Sequence, residues 1–441
     1  MLDKIKANPE IFYLSCSVLL AFAVLFAQTL GITVLIILCL AVFLALVGAA
    51  AWQGFAVPVL IFFLPWAKIL KISPDSYTFY TIALVLVSLI MLVRRKHTLN
   101  LYCAAAAGLI MIFSLISKLI GGCEISTAYM MFIFMLVFFP MLTDELRGRV
   151  NGRVLTVFFS AGIIIAALSA PLLVEFPAIA RYIDIDAWNI VKRFSGYYGD
   201  ANYYSAHVTS ALAATLLMFL REEKKLWRII SLALSLVLVY CGFLSISKTF
   251  FIVLALICVC WFWRFFTLKG RAAEKIIVLA AIVLVVAVVI FSGVLDSQWD
   301  AFMYRFSFSS TLSDFTTHRT EWIVDYSKAI FTDLRLILVG NGISKSLVND
   351  TASHNTAIQL MYQLGIIGLA LFAAWEYFFH RDIIRANKPS ICVSETAMLL
   401  VGTFLPWLSL DVMLFDEFFI LQLYVLALVI YFGKKDEADK T

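Results

Sequence analysis

Long apolar runs recur along almost the whole chain, each of about 20 residues and each bounded by a few charged or turn-forming residues. A helix of that length matches the hydrocarbon thickness of a bilayer. Inside lipid every backbone N–H and C=O must find an internal partner, which leaves helices and closed barrels as the only spanning structures. The runs here are continuous and lack the alternation of barrel strands. The expected fold is therefore an all-α polytopic membrane protein with about 12–14 transmembrane helices and two long extracytoplasmic loops. Composition agrees: 63% of residues are apolar and 14% charged, against roughly 45–50% and about 25% in a soluble domain. A water-soluble enzyme with a buried core and a single-anchor protein are both excluded.

Flanking charges place candidate spans at about 11–29, 31–50, 54–70, 77–93, 101–119, 126–143, 154–173, 204–220, 228–245, 249–266, 276–294, 354–378, 394–411 and 416–432. With the N-terminus in the cytoplasm, RRKH (94–97), RGRVNGR (147–153), REEKKLWR (221–228), WRFFTLKGRAAEK (263–275), HRDIIRANK (380–388) and the KKDEADKT tail share one side, together with about 22 of the 34 Lys and Arg. Both termini are then cytoplasmic, and the first run is a retained span and not a cleaved signal. The chain divides into N-terminal helices (1–173), an outer loop (174–203), central helices (204–294), a large outer loop (295–353), C-terminal helices (354–432) and a cytoplasmic tail (433–441). The eight cysteines lie in or beside apolar runs with no C-x-x-C, so neither a disulfide framework nor a zinc site is suggested.

The two outer loops exceed the length at which loops are usually either functional or disordered, and their tryptophans, Trp188, Trp299 and Trp322, argue for packing on the bundle. Within the second, residues 318–335 repeat Trp322, Ile323, Tyr326, Ala329 and Ile330 at helical spacing, predicting an amphipathic helix along the membrane surface.

Charge at the edge of hydrocarbon needs a partner or a task. His97 and His380 sit in basic cytoplasmic flanks and are expected to be solvated, leaving His207, His318 and His354 outside. His354 stands where the polar loop enters the twelfth span, with Ser353 as the expected helix cap. His207, one turn into the eighth span, reads as a hydrogen-bonded packing residue. The outer arginines are Arg181, Arg193, Arg305, Arg319 and Arg335. Arg193 belongs to KRFSGYYGDANYYSAH, which either folds over a polar ligand or forms an interfacial aromatic belt. Arg319 either snorkels or binds an anion, and the same choice holds for Lys248. Asp200 and Asn202 either contact a polar ligand or cap the eighth span, capping being favoured. Asp411, Asp416 and Glu417 read as solvated groups at the last outer turn. LVGNGIS (338–344) is a tight loop and not a phosphate-binding P-loop.

Arginine offers a fork of donors matched to phosphate, and histidine removes a proton near neutral pH. Together they suit attack by a hydroxyl on a carbon whose leaving group is a lipid diphosphate, with the arginines neutralising the departing charge.

Arg193-Phe-Ser-Gly with the following GDANYY, SISK at 245–248, Arg319-x-x-Trp322, the GNG turn at 340–342 and His354-Asn355 followed by LGIIGLALF resemble, in order and spacing over about 150–375, the O-antigen ligase and polymerase superfamily. Lys248 departs from it, standing where the family more often has arginine. The resemblance implies a bacterial inner-membrane, inverting, metal-independent glycosyltransferase that takes glycan from an undecaprenyl-diphosphate-linked donor on the outer face and needs no cofactor. It implies that Arg193 and Arg319 bind diphosphate and that His354 is the base or acceptor-orienting residue. Lys248, Asn355, Asp200 and Asn202 join them as substrate-binding candidates. The implied partners are the lipid-linked oligosaccharide, a glycan or lipid acceptor and membrane lipids, with no nucleic acid. The modest number of outer basic residues puts a polymerase slightly ahead of a ligase acting on a phosphorylated lipid A core or a protein. A flippase or transporter of lipid-linked sugars is the alternative of another class; it would place its ionisable residues at mid-membrane and break its helices in pairs.

Overall fold

A computed structural model describes residues 8–73, 76–94, 100–121, 127–143, 151–180, 182–183, 193–269, 272–293, 296–307, 316, 318–342, 347–349, 351–408 and 416–433. His97, Arg181, Trp188, Ile343, Ser344 and Asp411 lie outside these residues. The structure is 84% helical, without strands among the described residues. Eight described helices are long and apolar enough to cross a membrane, and several shorter apolar helices accompany them, so the chain is a multi-pass α-helical membrane protein.

The chain runs through α1 (Pro9–Leu30), α2 (Thr33–Gln53), α3 (Ala56–Phe63), α4 (Phe79–Arg94), α5 (Leu101–Gly121), α6 (Thr127–Leu142) and α7 (Gly152–Leu173). Then follow α8 (Ala201–Arg221), α9 (Lys225–Leu244), α10 (Lys248–Thr267), α11 (Ala272–Ser292) and α12 (Asp296–Ser307). The last part holds α13 (Arg319–Thr332), α14 (Leu334–Val339), α15 (Thr356–Asn387), α16 (Val393–Phe404) and α17 (Asp416–Gly433). The predicted surface helix over 318–335 is α13 together with the start of α14, and its Tyr326 and Ile330 are buried.

Helix α8 is the axis of the bundle. It is 94% buried, against 28% for each of its neighbours α9 and α10. Small polar side chains let the helices around it approach and bond, as interhelical packing in lipid requires. The Thr209 hydroxyl donates to the Gly402 carbonyl at 2.7 Å, Ser210 pairs with Thr403 at 2.9 Å, and Ser235 donates to Thr215 at 2.8 Å.

Two expected spans differ from uniform transmembrane helices. The run 54–70 forms only the eight-residue α3, continued by a 3₁₀ turn at Leu64–Trp66, and every side chain in both is buried. At about 1.5 Å per residue α3 is roughly 12 Å long, too short to cross about 30 Å of hydrocarbon. It packs inside the bundle, where a Cβ on Gly162 would lie 2.1 Å from the Phe62 carbonyl oxygen. The twelfth span, α15, is broken at Gly365, whose φ of 61° and ψ of −176° are non-helical.

The two ends of the bundle differ chemically. At the end where α8 finishes, α10 finishes and α16 begins, charges are paired. Glu222 is bound by Arg153, Glu395 by both Arg221 and Arg264, and Glu274 by Arg228. Glu222 and Glu395 are fully buried. Several basic residues that the sequence assigns only to orientation are thus structural partners of buried carboxylates. His380, expected to be solvated, is half-buried with Nδ1 at 2.8 Å from the Glu376 carbonyl oxygen.

Candidate functional site

All seven sequence-derived site residues lie at the other end, where α8, α10 and α15 start and α16 finishes. Asp200 is the N-cap of α8: its carboxylate accepts from the backbone N–H of Asn202 at 2.6 Å and of Tyr203 at 3.1 Å. This is the favoured capping role. Asn202 does something else. Its Oδ1 accepts from the Arg193 guanidinium at 3.1 Å and from the Ser247 hydroxyl at 2.8 Å. Arg193 also donates through Nε to the Ser245 carbonyl at 3.1 Å, and its neighbour Phe194 donates its N–H to the Leu244 carbonyl at 3.0 Å. The arginine is 9% exposed, and both named acceptors are uncharged.

The SISK segment thus acts through its backbone turn. Ile246, a β-branched residue, adopts a φ of 45°, a conformation costly for that side-chain type. The turn presents Ser245 and Ser247 to Arg193 and Asn202, and sets Lys248 as the first residue of α10. A cation there faces the positive end of the helix dipole, an arrangement that a bound anion offsets. Ser247 does not cap the helix with its side chain.

The second group rests on a small core of its own. Tyr326 and Ile330 from α13, Leu336 from α14 and Tyr362 from α15 form a cluster separate from the main one. The Tyr326 hydroxyl donates to the Thr351 carbonyl at 2.8 Å. This unit carries Arg319, the first residue of α13, and Trp322 one turn later on the same helix face. The Trp322 indole lies against the His354 imidazole, with centroids 4.5 Å apart and planes 30° apart. His354 has a φ of 48° and precedes the cap of α15. That cap is Asn355 and not Ser353: the Asn355 side chain accepts from the Ile358 N–H at 3.1 Å. Ser353 instead steadies the turn, with its hydroxyl donating to the Asn355 carbonyl at 2.9 Å.

Among the described residues, five non-glycine residues have positive φ, and Ile246, His318, Asn349 and His354 belong to this end. Strained backbone of this kind concentrates where side chains are held for a function.

Asn341 and Gly342 of the GNG turn fill the break in α15. Their N–H groups donate to the Tyr362 and Gln363 carbonyls, both at 2.8 Å. Gly340 and Gly365 meet backbone to backbone, and a Cβ on Gly340 would lie 2.5 Å from the Gly365 nitrogen. The LGIIGLALF run beginning at Leu364 therefore opens on a structural joint at Gly365 that holds the His354 half-helix.

A 3₁₀ turn at Leu405–Leu408 joins the two groups. Asn355 Nδ2 donates to the Leu408 carbonyl at 2.6 Å, and the Thr356 hydroxyl donates to the Trp407 carbonyl at 2.7 Å. From the other side, Tyr203 packs edge-on against the Trp407 ring at 5.0 Å. His207 sits beneath, fully buried among Tyr198, Trp407 and Phe159. It packs as expected, but neither ring nitrogen has a hydrogen-bond partner among the described residues.

Sequence reasoning gave no site role to Ser247, Trp407, Glu417 or Lys68. Glu417 is not simply solvated: it accepts a hydrogen bond from the Tyr198 hydroxyl. Lys68 Nζ lies 5.6 Å from the centroid of the same ring. Only the position of Lys68 near the end of an apolar run could have marked it. Tyr197 next door is structural, bonded to Ser169 at 2.9 Å, and burial pushes its hydroxyl well above the usual tyrosine range. The chain matches no family model and no curated protein sequence.

Proposed function

We propose that the protein is a membrane glycosyltransferase of the O-antigen ligase and polymerase type, drawing glycan from an undecaprenyl-diphosphate-linked donor at the bacterial inner membrane. The observation that carries this proposal is the gathering of Arg193, Lys248, Arg319 and His354 at one end of the bundle, with two of the cations at helix N-termini. Helix N-termini and guanidinium forks favour phosphate oxygens, whereas the opposite end has its arginines bound to carboxylates.

In the proposed reaction Arg193, Lys248 and Arg319 hold the diphosphate. An acceptor hydroxyl attacks the anomeric carbon from the opposite face, the carbon–oxygen bond to phosphate breaks with inversion, and His354 takes the hydroxyl proton. The indole face of Trp322 favours the imidazolium that results. Asn202 holds Arg193, and Asp200 holds the start of α8. A polymerase remains slightly ahead of a ligase. Transport of the lipid-linked sugar is less well supported, because the break in α15 has its Tyr362 and Gln363 carbonyls bonded to protein backbone, where a transporter uses such groups for its cargo.

The test is transfer by the reconstituted protein, with His354→Ala and Arg319→Ala compared with wild type. Both variants should insert normally and form no product. Wild-type rates in either would remove that residue from the mechanism.

A further inference from the structure

Beside the cationic groups lies a patch of different character. Tyr203 follows Asn202, the partner of Arg193, and its ring stacks on Tyr198 with centroids 5.4 Å and planes 20° apart. Tyr198 connects this pair to two charges of opposite sign: its hydroxyl bonds the Glu417 carboxylate, and its face lies 5.6 Å from the Lys68 ammonium. Lys68 is exposed, Tyr203 and Glu417 are half-buried, and Tyr198 is buried beneath them. The elements come from three distant parts of the chain: the turn after α3, the loop into α8, and the first turn of α17.

The charges of Lys68 and Glu417 sum to zero, so the patch has no preference for an anion, unlike the Arg193 side. An aromatic face offers apolar area to the C–H side of a sugar ring. A carboxylate accepts from hydroxyls, and an ammonium donates to hydroxyl or acetamido oxygens. We infer that Tyr203, Glu417 and Lys68 form a binding subsite for the sugar ring that the diphosphate carries, an inference that rests on the transfer reading of the neighbouring site. Tyr198 positions the subsite by holding Glu417 and backing Tyr203. The subsite is specificity-determining: it binds the glycan and leaves the diphosphate to the arginines.

The experiment compares the affinity of the full-length protein in lipid nanodiscs for undecaprenyl diphosphate alone with that for the same lipid bearing a single hexose, N-acetylhexosamine or deoxyhexose. Wild type should bind at least one sugar-bearing lipid more tightly than the bare lipid. Glu417→Gln, which keeps an acceptor for Tyr198, and Lys68→Met, which keeps the stem, should each reduce that advantage about tenfold, as expected for loss of one charged hydrogen bond. Both should leave affinity for the bare lipid unchanged, which also reports intact folding. The inference is overturned if wild type shows no sugar preference, if both variants keep it, or if bare-lipid affinity falls in parallel. Formation of a glycosidic bond is a separate readout. A wild type that prefers the sugar-bearing lipid yet forms no bond would retain the subsite and reject transfer.

Discussion

Replacing Gly365 with alanine tests whether the joint in α15 sets the position of His354. Gly365 has a φ of 61° and ψ of −176°, in a region open essentially only to glycine, so the backbone conformation alone penalises alanine by about 1–3 kcal/mol. The added Cβ would also lie 2.6 Å from the Gly340 nitrogen and from the Leu338 carbonyl carbon and oxygen. Those atoms are backbone, so no rotamer change relieves the overlap, and overpacking of this kind costs a further ~1–3 kcal/mol. The combined penalty of ~2–6 kcal/mol is a large share of a typical net stability of about 5–15 kcal/mol. Relief requires the half-helix 356–364 to separate from the GNG turn, lengthening the two 2.8 Å bonds to the Tyr362 and Gln363 carbonyls. Asn355 then leaves the Leu408 carbonyl, and a displacement of about 1 Å at a reacting group can lower the rate about 100-fold. The assay is thermal unfolding of the purified protein at one fixed scan rate, paired with the transfer rate. Gly108→Ala serves as the control, because a Cβ there meets nothing within 4 Å. Gly365→Ala behaving like Gly108→Ala in both measurements would refute the assignment of the joint.

Glu395→Gln should destabilise the protein by about 3–5 kcal/mol, because Arg221 and Arg264 lose a buried carboxylate; unfolding measurements should show part of this recovered on adding Arg221→Met. Arg193→Lys should lower transfer at least tenfold with folding intact, since one ammonium cannot reproduce the planar fork that meets both Ser245 and Asn202; unchanged rates would place Arg193 outside the site. In a background lacking the native cysteines, Leu334→Cys should react with an impermeant maleimide on intact cells and Val393→Cys only after permeabilisation, both positions being exposed. The reverse pattern would invert the proposed orientation. Hydrogen bonding to Ser394 lowers the Cys392 thiol from its usual range, so more thiolate is present near neutral pH. Ser394→Ala should therefore slow alkylation of Cys392, with the rate difference shrinking as pH rises above the thiol range.

The helical membrane architecture is legible in the sequence because lipid forces it, and apolar length alone marks most of the helices. The same property conceals α3, since a helix packed inside the bundle is as apolar as one facing lipid. Gly365 sits in an apolar run where glycine is common in transmembrane helices, and its role depends on Gly340, 25 positions earlier in the chain. Ser353 and Asn355 are both acceptable caps, and only backbone geometry selects Asn355. The arginines and His354 are visible because topology leaves few polar groups outside. Glu417 and Lys68 escaped because charges at span ends read as orientation or solvated rim, as did Arg221, Arg264 and Glu395 at the opposite end. Asn202 shows the remaining gap: residue type and position mark it as a candidate, but its 3.1 Å bond to Arg193 is visible only in the structure.

The most direct test of the transfer proposal is the mass of the lipid-linked glycan after incubation with the purified protein in proteoliposomes. Transfer predicts a new glycosidic bond, seen as a product longer by one donor glycan or attached to an added acceptor, with release of undecaprenyl diphosphate. Movement of the intact lipid-linked sugar between leaflets, with no change in mass and no released diphosphate, would contradict it.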